Sequence, residues 1–131
     1  MTSRFTGWLV LLVLLQLLAG CGRGWGDVSG TVRYQGKPLP MAAITFYDEI
    51  NGVKSCNLDD DGKYTVSKVA AGKVKIAVTL PMPIFMRGDT EGPKRFAKVP
   101  KGFPARYAEP EKSGLERNIK AGSQIIDFDL D

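Results

Sequence analysis

Apolar and polar residues alternate with a period of two along most of the chain after residue 26. In the first such stretch, Val28, Gly30 and Val32 alternate with Ser29 and Thr31. This alternation is typical of a β-strand that buries one face. The pattern predicts seven short strands: Asp27–Tyr34, Ala42–Tyr47, Lys54–Leu58, Lys63–Val66, Lys73–Leu80, Glu116–Ile119 and Ile126–Asp131.

Turn signals separate these predicted strands. Asp59–Gly62 ends in Asp-Gly, which supplies the positive φ that a tight hairpin requires. Gly and Pro also mark breaks at Gln35–Pro40, Val69–Gly72 and Lys120–Ser123. No segment after Cys21 shows a convincing helical period. The chain therefore predicts one all-β domain over residues 27–131, a small antiparallel sandwich, with a closed barrel as the alternative.

Pro81–Pro104 breaks the alternation with five prolines, three glycines and several cations. An irregular segment of this length inside a small domain is often functional. Its possible binding residues, for an anionic glycan, a headgroup or a protein, are Arg87, Lys94, Arg95, Phe96, Lys98 and Lys101. The alternative is that Phe85, Phe96 and Phe103 pack against the edge of the sandwich and close it.

The N-terminus has the pattern of a secretory signal peptide over residues 1–20. One cation, Arg4, precedes a short apolar run from Trp8 to Leu15, and small residues follow. The run is too short for a comfortable transmembrane helix. Leu18-Ala19-Gly20-Cys21 resembles the bacterial lipobox, in which the chain is cut before a cysteine whose thiol is acylated. The alternative is ordinary cleavage, with Cys21 left as a free thiol.

Lipidation of Cys21 would attach an exported domain to a bacterial membrane, since acyl chains contribute about 0.8 kcal/mol per buried CH₂. Residues 21–26 are then expected to form the lipidated end and a short glycine-rich tether. Gly22 stands where an Asp would signal inner-membrane retention in enteric bacteria. This favours the outer membrane, with the domain facing the periplasm or the cell surface.

Composition narrows the chemistry further. The chain has no histidine, which excludes Ser-His-Asp and Cys-His catalysis and His-ligated zinc within it. Arg4 is the only charged residue before Cys21, so residues 21–131 keep 17 Lys and Arg against 14 Asp and Glu. These charges are mixed and form no basic block. We therefore expect no enzymatic activity, no cofactor and no nucleic-acid partner.

Three further features have a functional and a structural interpretation. Asn57, Asp59 and Asp61 have the oxygen spacing of half a calcium loop, but Lys68 stands where a full loop needs Glu, so a solvated hairpin turn is preferred. Cys56 is a reactive thiol, an intermolecular bridge or, as we prefer, a small buried apolar residue. Surface tyrosines that could contact carbohydrate, but that also suit ordinary packing, are Tyr47 and Tyr107.

The order of the motifs resembles carboxypeptidase regulatory-like, transthyretin-like domains. Val28-Ser29-Gly30-Thr31-Val32 before Gly36-Lys37-Pro38-Leu39 resembles their opening, and Asp59–Tyr64 before Val69–Val74 resembles their middle. The tail, with Pro104–Ala108, Ser113–Leu115 and Ile126–Leu130, is similar to small lipoproteins of this type in planctomycete bacteria.

The resemblance implies a seven-stranded prealbumin-like sandwich without an activity of its own. The sequence thus predicts a membrane-anchored lipoprotein whose sandwich is a structural module, or one that contacts protein or envelope polymer. The alternative function is a lipoprotein that binds carbohydrate or calcium.

Overall fold

The computed structural model describes residues 23–81 and 100–131. These residues form nine β-strands and one short 3₁₀ helix, Ala105–Ala108. The strands are β1 Trp25–Tyr34, β2 Lys37–Pro38, β3 Ala43–Asp48, β4 Val53–Asn57, β5 Lys63–Ala70, β6 Gly72–Thr79, β7 Glu116–Ile119, β8 Gly122–Ile125 and β9 Phe128–Leu130.

The strands form two sheets that face each other. The first sheet is centred on β1, which pairs with β2 and β5 along one side and with β8 and β9 along the other. The second sheet has the order β4-β3-β6-β7. The predicted all-β sandwich is confirmed, and two separate ladders replace the alternative of a closed barrel.

The core lies between the two sheets and follows the predicted alternation. Phe46 of β3, Ile76 of β6 and Phe128 of β9 are among its largest side chains, and each is at most 1% exposed. Burying apolar area of this kind stabilises the fold by about 25 cal/mol per Å². Cys56 is partly buried and packs against the core, as its position on β4 predicts.

The C-terminal strand differs from the prediction of one strand over Ile126–Asp131. It is split into β8 and β9, so Gly122 and Ser123 belong to a strand rather than to a turn. Both pieces run parallel to β1. The reason is that the chain crosses from β7 to the first sheet at Lys120–Ala121, beside the start of β1, and a strand beginning there must run in the same direction as β1.

Two other predicted boundaries also shift. The predicted turn over Val69–Gly72 shortens to Ala71 alone, because β5 continues to Ala70 and Gly72, with φ of 125°, already opens β6. The predicted tether over residues 21–26 is too long at its C-terminal end, since Trp25 and Gly26 belong to β1. A Cβ on Gly26 would lie 2.5 Å from the Lys120 carbonyl oxygen, so glycine permits this close pairing.

The strand connections define two ends of the sandwich. At the Trp25 end lie the start of β1, Ala71, the Glu49–Gly52 loop and the Lys120–Ala121 crossing. At the Tyr34 end lie the end of β1, the Asp59–Gly62 turn and the end of β6. β1 rises about 3.3 Å per residue, so the two ends are roughly 30 Å apart.

Candidate functional site

Among the described residues, a hollow lies beside Tyr47, near the Trp25 end. Ile44 and Phe46 of β3 enter the core, so Tyr47 lies on the outer face of the second sheet. Its neighbours across the ladder are Val53 of β4 and Lys75 of β6. The hollow has a volume of about 710 Å³.

The β3–β4 turn forms one wall of this hollow. The Asp48 carboxylate accepts hydrogen bonds from the backbone N–H groups of Ile50, at 3.0 Å, and of Gly52, at 2.7 Å. A Cβ on Gly52 would lie 2.2 Å from the Asp48 carboxylate, so a larger residue here would force the Asp48 side chain to move. Side chain and backbone thus hold the wall in one conformation before any ligand arrives.

An ion pair forms the opposite wall. The Lys75 Nζ lies 2.5 Å from a carboxylate oxygen of Glu111. This hydrogen bond raises the pKa of the Lys75 ammonium above its ordinary value. Lys73 also lines the hollow and pairs with Glu116 at 3.2 Å.

The hollow therefore combines one aromatic ring with fixed hydrogen-bond donors and acceptors. An aromatic side chain with an apolar face and a polar hydroxyl suits ligands that are apolar on one side and polar on the other. Within residues 23–81 and 100–131, no group of three or more Asp, Glu, Cys or His side chains is arranged to hold a metal ion. The residues that line the hollow can bind a ligand. They do not place a nucleophile beside a general base.

Tyr107 does not join Tyr47 in this site. It lies in the 3₁₀ helix, is 4% exposed and packs against Phe103. Its hydroxyl lies 3.1 Å from the backbone N–H of Asp131 and 3.2 Å from the carbonyl oxygen of that residue. Tyr107 is thus a packing residue that fixes the C-terminus, as the structural interpretation of the sequence predicts.

The calcium candidate has a structural role. One carboxylate oxygen of Asp59 accepts hydrogen bonds from the backbone N–H of Asp61, at 2.9 Å, and of Lys63, at 2.8 Å. Asn57 ends β4, while Asp61 lies in the exposed turn. The Asp59 carboxylate thereby holds the hairpin, and this favours the interpretation of a solvated turn over that of a calcium loop.

Most of the predicted binding loop lies outside the described residues, namely Arg87, Lys94, Arg95, Phe96 and Lys98. Lys101 is described and exposed. The ring of Phe103 lies 5.1 Å from that of Tyr34 and 5.3 Å from that of Tyr107. For Phe103, the prediction of packing against the sandwich is confirmed.

The predicted lipidation site also lies outside the described residues, because Leu18, Ala19, Gly20 and Cys21 precede residue 23. In the part of the chain that the structure describes, no helix is long and apolar enough to cross a membrane. The nearest described residues are anchored to the fold: the Ala71 N–H donates to the Gly24 carbonyl at 2.9 Å, and Arg23 pairs with Glu49 at 3.4 Å.

Sequence reasoning missed the residues that accompany Tyr47. Asp48, Lys75 and Glu111 come together only through the β3–β6 register and the chain segment after the 3₁₀ helix. The one local signal is Asp48 followed by Gly52, which is a turn pattern rather than a binding motif.

Comparison with known proteins gives limited similarity. No known protein family matches the chain, and no curated protein matches it. Among solved structures, it is similar to a DUF3823 family protein from Parabacteroides merdae, with 14% identity and a TM-score of 0.48 over 83% of this chain and 47% of that one. It is also similar to a DUF3823 family protein from Bacteroides ovatus, with 12% identity and a TM-score of 0.47 over 81% of this chain and 44% of that one.

A third similar structure is the dioxygenase domain of a dioxygenase and carbohydrate-binding protein fusion from Streptomyces sp. SirexAA-E. Its identity is 18% and its TM-score 0.44, over 88% of this chain and 85% of that one. The chain spans less than half the length of the two DUF3823 proteins. At these identities and TM-scores the similarities carry no conclusion about function, and the resemblance to carboxypeptidase regulatory-like lipoproteins stays a prediction.

Proposed function

We propose that this chain is an exported lipoprotein, attached to a bacterial membrane through Cys21, whose β-sandwich is a non-catalytic module that contacts protein or envelope polymer. The observation that carries the proposal is the sequence Leu18-Ala19-Gly20-Cys21 directly after the apolar run. The sandwich supports it, because β1 begins at Trp25 and a folded domain follows the cysteine almost at once.

The proposed contact surface is the basic, proline-rich segment 81–104. Thr79, shortly before this segment, and Phe103, within its described part, lie at the Tyr34 end of the sandwich. A domain held at Cys21 would carry Thr79 and Phe103 on the end away from its anchor. In a cell with two membranes, Gly22 after the cysteine favours the outer membrane.

Fatty-acid labelling tests the attachment. Cells that produce the full chain are grown with a labelled fatty acid, and the protein is isolated from the membrane fraction. The expected result is label on the wild-type chain and none on Cys21→Ala. A wild-type chain that carries no label would overturn the proposal. Cys56→Ala is the matched control, since it removes the other cysteine and is expected to keep the label.

A second candidate function is carbohydrate binding, and the Tyr47 hollow is the observation that favours it. The ring offers an apolar face, while Lys73, Lys75 and the neighbouring carboxylates offer hydrogen bonds. Calcium binding is a weaker alternative, because the Asp59 carboxylate already accepts two backbone hydrogen bonds. Thermal unfolding with oligosaccharides, and separately with calcium, distinguishes a ligand-binding module from a purely structural one.

A further inference from the structure

Exposed apolar side chains are concentrated at the Trp25 end of the sandwich. Four large apolar side chains among the described residues are at least half exposed. Trp25 is 56% exposed, Ile50 in the β3–β4 loop is 50% exposed, and Val53 at the start of β4 is 56% exposed. All three lie at the Trp25 end, and only Ile125 lies along the side of the first sheet. Trp25 lies on the outer face of the first sheet and Val53 on that of the second, so they do not form one patch, and Trp25 is the one of these exposed residues nearest to Cys21 in the sequence.

The length of chain before β1 limits what can face this end. Three residues separate Cys21 from Trp25, and an extended chain spans at most about 3.6 Å per residue, so the two Cα atoms lie within about 14 Å of each other. Gly24 is fixed to Ala71 by a backbone hydrogen bond of 2.9 Å. An acyl chain on Cys21 would therefore hold the Trp25 end, and no other part of the domain, at the lipid surface.

We propose that the Trp25 end is a membrane-contact surface, in which the Trp25 side chain enters the headgroup layer of the bilayer that anchors Cys21. This inference rests on the proposed lipidation. Tryptophan suits the position, because its ring is apolar and its N–H group finds partners at the wet interface. The partner is lipid, because the tether is too short for a protein to fit between this end and the membrane.

The charges at this end are largely matched. Arg23 pairs with Glu49 at 3.4 Å, and Lys73 pairs with Glu116 at 3.2 Å. Both pairs are exposed, and their long cationic side chains can keep their charged groups in water beside the headgroups. The contact therefore does not require anionic lipid, and zwitterionic phosphatidylcholine is a sufficient surface.

Fluorescence quenching tests the proposal directly. Cleavage before Cys21 removes Trp8, so Trp25 is the single tryptophan of the processed chain. The native lipoprotein is extracted, its acylation is checked by mass, and it is reconstituted in phosphatidylcholine vesicles with and without bromine on the acyl chains. A matched reporter carries Trp25→Phe and Asp60→Trp, which moves the tryptophan to the exposed turn at the Tyr34 end.

The expected result is about a twofold loss of Trp25 fluorescence in brominated vesicles, with almost no loss from the Asp60→Trp reporter. Equal quenching of the two, or no quenching of Trp25 in an acylated protein, would overturn the membrane-contact surface and leave the lipoprotein proposal intact. A mass without acyl chains would overturn both.

Discussion

The hydroxyl of Tyr64 donates a hydrogen bond of 2.6 Å to the carbonyl oxygen of Ile126, although β1 runs between β5, which carries Tyr64, and the junction of β8 and β9, where Ile126 lies. The contact is possible because the β1 residue opposite Tyr64 is Gly30. A Cβ at Gly30 would lie 1.9 Å from the Ile126 carbonyl oxygen. A tyrosine, a glycine and a backbone carbonyl thus join the C-terminal strand to the rest of the first sheet.

Gly30→Ala is expected to destabilise the domain by about 3 kcal/mol or to prevent folding, because the new methyl group meets backbone rather than a movable side chain. Urea unfolding followed by circular dichroism measures the free energy of unfolding. Ser29→Ala in the same strand is the matched control and should cost less than about 1 kcal/mol. A Gly30→Ala protein as stable as this control would contradict the close approach of residue 30 to the Ile126 carbonyl oxygen.

Ionisation of Tyr64 is expected to lower the free energy of unfolding at alkaline pH. Burial, and next the negative charge of Asp127, raise the pKa of its hydroxyl well above the ordinary 10.0. In the unfolded chain the hydroxyl ionises near 10.0, whereas in the folded chain it stays protonated. The folded state therefore binds more protons above pH 10, and stability falls as the pH rises beyond that value.

Tyr64→Phe is expected to cost about 1 kcal/mol at pH 7, because the hydrogen bond to Ile126 is lost. Above pH 10 the wild type should lose its advantage, so the difference in unfolding free energy between the two proteins should shrink. Urea titrations from pH 7 to 11 measure this difference. A difference that stays constant across the range contradicts the raised pKa of Tyr64.

Asp127 lies between β8 and β9 and joins this junction to β1 through its side chain. Its carboxylate accepts a hydrogen bond of 2.8 Å from the backbone N–H of Thr31, at the point where the parallel ladder is interrupted. Asp127→Ala is expected to lower the free energy of unfolding by about 1 to 2 kcal/mol, since the acceptor is charged. Asp129→Ala, which removes only an exposed ion pair with Arg33 at 3.8 Å, should cost less than about 0.5 kcal/mol. Equal losses in urea unfolding would contradict this role of Asp127.

The C-terminal strand shows how far alternation alone predicts the fold. Ile126, Phe128 and Leu130 alternate with aspartates, and this pattern correctly indicates which side chains enter the core. It cannot indicate the partner strand or the parallel direction, because both depend on the crossing at Lys120–Ala121. The hydrogen bond of Asp127 to Thr31, 96 positions away, likewise depends on the register with β1.

Tyr47 shows the same limit for the candidate site. Its alternation with Phe46 predicts that it faces outward, and this is confirmed. The hollow around it depends on Lys75 and on Glu111, which are distant in sequence and are joined to each other by an ion pair. Short-range patterns predict the face of a strand, whereas a site built across strands needs the pairing register.

Tyr47→Ala tests the carbohydrate-binding candidate. If an oligosaccharide stabilises the wild type against thermal unfolding, the variant should lose most of that stabilisation, because the apolar ring supplies the stacking surface. Differential scanning fluorimetry with neutral and acidic oligosaccharides measures the shift in melting temperature. Thr45→Ala, two residues away on the same outer face, is the control. A shift that survives in Tyr47→Ala would locate carbohydrate binding elsewhere.

The measurement that tests the central claim most directly is the intact mass of the native protein extracted from membranes, with Cys21→Ala in parallel. The account predicts a mass equal to residues 21–131 plus acyl chains, and the loss of both processing and acylation in the variant. An unacylated mass would contradict the account: Cys21 would be a free thiol, and the sandwich would be a secreted module without an anchor.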